Sequence, residues 1–108
     1  MKIEVHGQDA VQAAEELLSI EEFKDSNYEI VNEVEQEGTL ATIATIVGIW
    51  GGSLTIAEKL YQWNQKYQKS LPRLVGAKIE KILIVTPHSN RVLLKDATVE
   101  QIQEILED

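Results

Sequence analysis

The chain has 108 residues, a formal net charge of −8, and 44% hydrophobic against 26% charged residues, the balance of one ordinary globular domain spanning 1–108. That much apolar content excludes intrinsic disorder, and the absence of cysteine excludes a disulfide framework, thiolate metal sites and thiol catalysis. The acidic balance argues against general nucleic-acid binding, which needs a basic surface, and the start MKIEVHGQDA lacks an apolar core of signal-peptide length, so a cytoplasmic protein is expected.

Lys2 to His6 alternate, with Ile3 and Val5 on one face, as a half-buried strand does. Gly7 breaks the strand, and Asp9 with Gln12 has the spacing of a helix-starting capping box. A helix to about Phe23 is predicted, its inner face formed by Ala10, Ala13, Ala14, Leu17 and Ile20 and its outer face by Glu15, Glu16, Glu21 and Glu22. Turn chemistry at Asp25, Ser26 and Asn27 leads into a strand from Tyr28 to Glu35, with Tyr28, Ile30 and Val34 inward and Asn32 on the same face, where its amide needs partners.

From Thr39 to Ala57 no residue is charged, and the polar, amphipathic EKLYQWNQKYQKS follows. The two pieces read as one long helix, weakened at Gly51 and Gly52 by about 1 kcal/mol each and ended before Pro72. Ile56, Leu60, Trp63 and Tyr67 share its apolar face; Lys59, Gln62, Lys66 and Lys69 share the opposite one. Ala44, Gly48 and Gly52, four apart, then form a ridge for close packing. The uncharged run has the length of a membrane span, but its threonines, glycines and tryptophan favour a buried central helix.

Lys81 to Thr86 suits a buried strand, residues 87–90 a turn, and Arg91 to Lys95 the returning strand with Val92 and Leu94 inward. Thr98 with Gln101 repeats the capping box before a last helix striped by Val99, Ile102, Ile105 and Leu106. The expected fold is therefore an α+β two-layer sandwich of order βαβαββα, a long central helix packed on a four-stranded sheet.

Charge is polarised along the chain. Residues 1–57 hold eleven acids against two bases, residues 58–95 eight bases against two acids, and the tail is acidic again. Such a map either satisfies itself when the halves fold together or steers a partner or a second copy. Chemistry is sparse beside it. His6 and His88 lack metal-ligand spacing, no glycine-rich nucleotide loop or nucleophile elbow occurs, and the paired glutamates sit on a solvated helix face. No enzyme, cofactor or metal is expected.

The stretch GTLATIATIVG at 38–48, continued by LTIAEKL at 54–60 and Trp63, together with Ile82 to Leu94 and the following Asp96-Ala97-Thr98, resembles the effector-associated constant component one family of small bacterial proteins. The resemblance implies a non-enzymatic partner component of bacterial conflict systems, encoded beside effectors such as peptidases, and it transfers no site residues. The leading expectation is an adaptor or regulatory component with a protein partner, its docking surface on Lys59, Lys66, Lys69 and Arg73. Self-association into a homo-oligomer, a membrane-associated accessory protein using residues 39–57, and a small-ligand binding domain are the alternatives.

Overall fold

A computed structural model describes residues 1–34, 40–48, 50, 53–68, 79–88 and 90–107, and for residues 31–34, 40, 41 and 68 it describes the backbone alone. The elements are β1 (Lys2–Gly7), α1 (Ala10–Leu18), a 3₁₀ turn (Glu21–Phe23), β2 (Asn27–Val34), β3 (Leu40–Val47), α2 (Leu54–Gln68), β4 (Ile79–Val85), β5 (Arg91–Leu93) and α3 (Val99–Glu107). The five strands form one antiparallel sheet in the order β2-β3-β1-β4-β5.

The α+β class stands, while its expected detail is corrected: among the described residues the sheet has five strands, the order is βαββαββα, and residues 39–57 do not join 58–69 in one long central helix. The apolar run divides into strand β3, a connection, and the first turn of α2. LATIATIV is dominated by Thr, Ile and Val, whose branched Cβ atoms suit a pleated sheet better than a helix interior. β3 is an inner strand, paired with β2 on one side and β1 on the other. The ridge of Ala44, Gly48 and Gly52 dissolves with the helix: Ala44 is a strand residue, Gly48 lies just past it, and Gly52 lies outside the described residues. Among the described residues no helix is long and apolar enough to cross a membrane.

Register shows where the core lies. Ile3 pairs with Ile46 and Ile84, and Val5 with Ala44 and Ile82; all six are buried on one face of the sheet. Ala10, Ala13, Ala14 and Leu17 of α1, Leu60 and Trp63 of α2, and Ile102 and Leu106 of α3 join them in one cluster, so the helices form a single layer on that face. The small alanines bring α1 close to the sheet, as their spacing predicts.

Two buried polar contacts orient α2. Trp63 Nε1–H donates to the Ala13 carbonyl at 3.0 Å, and Asn64 Nδ2 donates to the Leu94 carbonyl at 2.9 Å. α2 begins at Ser53, whose hydroxyl accepts from the Ile56 amide at 3.2 Å. The reciprocal box at Thr98 and Gln101 forms as expected, with both bonds present. At Asp9 no side-chain cap bond forms, and α1 ends at Leu18 rather than near Phe23. Ile30, expected inward, is 47% exposed because β2 is the edge of the sheet. The side chain of Asn32 lies outside the described residues.

Candidate functional site

The basic face expected on α2 is described only in part. Gln62 and Lys66 are exposed and Lys59 is half-buried, while Lys69 and Arg73 lie outside the described residues. Lys66 Nζ donates to Glu16 of α1 and sits 5.8 Å from the Tyr67 ring centroid. Burial, reinforced by the Glu16 carboxylate that accepts its hydrogen bond, pushes the Tyr67 hydroxyl up to about 12. One acid of α1 thus engages two neighbouring side chains of α2, and part of the charge polarity is settled inside the fold.

The sheet face opposite the helices carries a second network. Arg91 of β5 donates to both oxygens of Glu4, at 3.0 Å from Nη1 and 2.7 Å from Nη2, and His6 Nε2–H donates to Glu4 Oε1 at 3.1 Å. Glu4 lies on β1 and Arg91 on β5, so the bidentate pair passes over the intervening β4, whose Leu83 is nearly buried on this face. Burial alone would raise the Glu4 carboxyl, but the hydrogen bonds and charges of His6 and Arg91 together outweigh it and hold it below its ordinary value. Nothing in the local sequence announces this cluster, because its members are 87 residues apart and meet only through strand order.

A cavity of about 590 Å³ lies at the β5 end of the sheet. Val92 and Leu93 of β5, Gln101, Glu104 and Ile105 of α3, and Lys95 and Asp96 of the connecting turn line it. Consecutive strand residues point to opposite faces, so a cavity touching both Val92 and Leu93 runs along the strand's edge. That edge is free. Thr86 N–H donates to the Asn90 carbonyl at 2.9 Å and Leu94 N–H to the Ile82 carbonyl at 3.0 Å, so residues 90, 92 and 94 turn their peptide groups to β4. Arg91 and Leu93 therefore direct theirs away from the sheet, into the space beside α3. Within the turn Asp96 has a φ of 63°, in the left-handed region that Asp tolerates better than most residues.

The alternation in RVLLK places Leu93 outward, and the structure confirms it at 53% exposure. That this exposed leucine borders a cavity could not be read from sequence, since the other wall comes from a helix whose approach angle is set by packing against α2. Among the described residues no cluster of His, Cys, Asp and Glu could hold a metal ion. No protein-family model matches the chain, and neither a curated protein nor a solved structure matches it.

Proposed function

We propose that the chain is a non-enzymatic adaptor that takes up an extended segment of a partner protein along the free edge of β5, beneath α3. The observation that supports this most directly is the coincidence of the cavity with outward-facing peptide groups at Arg91 and Leu93. Strand addition derives affinity from main-chain hydrogen bonds and selectivity from the pockets that receive alternate side chains. Here the incoming segment directs one set of side chains into the cavity against Val92 and Ile105, and the other set toward exposed Leu93. The resemblance to the effector-associated constant component one family favours an effector protein, such as a peptidase, as the source of the segment. The basic residues Lys59, Lys66, Lys69 and Arg73 serve in this reading as a steering surface for an acidic partner.

A displayed library of linear peptides, selected on the purified chain and followed by isotope-edited NMR titration, tests the reading. Selected peptides are expected to shift the amides of residues 91–95 and 101–105. Leu93→Pro removes an outward N–H without touching the β4 ladder, so it should abolish binding while leaving the fold intact. Wild-type affinity in that variant overturns the proposal, and capture of a small metabolite in place of peptides favours a ligand-binding domain instead.

A further inference from the structure

Among the described residues the opposite margin of the sheet is also unpaired, and it is longer. β2 runs eight residues, Asn27–Val34, and pairs along its length with β3. Gly48 N–H donates to the Met1 carbonyl, extending a ladder in which residues 44, 46 and 48 turn their peptide groups to β1. Residues 43, 45 and 47 consequently face β2, where their partners are Val31, Glu29 and Asn27. Tyr28, Ile30 and Asn32 are left with N–H and C=O groups directed off the sheet. Native proteins usually blunt such an edge by making it short, bulged, covered or charged. This one is long and regular in register, and at its centre stands Ile30, 47% exposed.

From this edge we infer that two copies of the chain pair β2 against β2 about a twofold axis through Ile30, forming one continuous ten-stranded antiparallel sheet. The glutamates of the strand select the register. With Ile30 opposite Ile30 of the second copy, Tyr28 falls opposite Asn32, Glu29 opposite Val31, and Asn27 opposite Glu33, so within the strand Asn27–Val34 no acid is set opposite another. Moving the axis by one residue, to Glu29 or to Val31, opposes Glu29 to itself or to Glu33, and the Val31-centred alignment is the one that would otherwise pair as much of the strand. The Ile30-centred register also pairs outward-facing residues with outward-facing ones, which an antiparallel ladder requires, and it keeps both helix layers on the same side. Charges that would otherwise mark a protected edge act here as a key for one partner, a second copy, in one alignment.

The β5 edge is spare under either outcome, so this inference and the adaptor reading fail independently. Sedimentation velocity and light scattering from micromolar to millimolar concentration should show a reversible species of twice the 12.2 kDa chain mass. Because each copy carries −8, added salt should strengthen the association. Ile30→Pro, which removes an outward N–H at the centre, should leave a folded monomer. Val31→Glu should weaken the dimer roughly tenfold or more by facing Glu29 across the interface, and adding Glu29→Lys to it should restore pairing. In the cysteine-free background, oxidation of Ile30→Cys should give a covalent dimer, since opposed Cα atoms in a hydrogen-bonded pair lie about 5.5 Å apart, within disulfide reach. Leu93→Cys should not. A wild-type chain that stays monomeric throughout, or cross-linking at Leu93 in place of Ile30, overturns the inference.

Discussion

At Gly48 the missing side chain is a packing requirement. A Cβ there would stand 2.6 Å from Ser26 Oγ and 2.6 Å from the Trp50 ring. Neither can retreat easily, because Trp50 Nε1–H donates to that same hydroxyl at 2.9 Å and the indole packs edge-to-face on Phe23 at 5.4 Å. Gly48→Ala should therefore destabilise the fold by about 1–3 kcal/mol, and Gly48→Leu by more, in urea unfolding monitored by tryptophan fluorescence. Tyr67 offers a second test at this scale. Its hydroxyl is held neutral to higher pH in the folded chain than in the unfolded one, so its contribution is fully present below the ordinary value near 10 and is lost as pH rises toward about 12. Stability measured against pH should fall across that window, and Tyr67→Phe should flatten the fall. Glu4 works in the opposite direction: its lowered carboxyl contributes above the ordinary value of 4.5 and ceases to as pH drops through its folded value.

Elements are bounded by chemistry that is local. Thr98 and Gln101 satisfy each other's amides at the start of α3, and Thr98→Ala should cost about 1 kcal/mol and lower the melting temperature by several degrees. If the β5 cavity takes up a peptide as proposed, the same substitution should also weaken that binding, because α3 lines the cavity. The boundary that sequence reading missed, between β3 and α2, was signalled by Gly51-Gly52-Ser53: two helix breakers followed by the residue that caps α2. Absence of charge across 39–57 obscured it. A strand, a connection and a helix start here share one uncharged run, and a window that scores apolarity alone cannot tell them from one buried helix.

Across the whole molecule the acidic and basic halves of the chain meet at Glu16 with Lys66 and at Glu4 with Arg91. Lys66 is 61% exposed, so that pair contributes below about 1 kcal/mol. Changing Lys59, Lys66 and Lys69 together to Glu should leave the fold largely intact. If these residues steer an acidic partner, the triple variant should bind it more weakly and with less salt dependence, read by titration at low and high salt. Equal affinities at both salt concentrations would reduce the three lysines to solvent-facing charge.

What the sequence determined by itself was everything governed by neighbours within a few residues. It set the alternation of β1 and β5, the alanine face of α1, the apolar stripe of α2, the cap of α3 and the α+β class. Periodicity reports which side of an element is buried, and these elements bury one side each. Tertiary structure decided what depends on partners far along the chain. β1 became the centre of the sheet, β3 became an inner strand with no polar face to reveal it, Glu4 met Arg91 across β4, and β2 and β5 were left as margins. A strand's peptide groups look the same in sequence whether they face another strand or open space. Only the order of strands shows which edges are free, and both docking surfaces proposed for this protein lie on them.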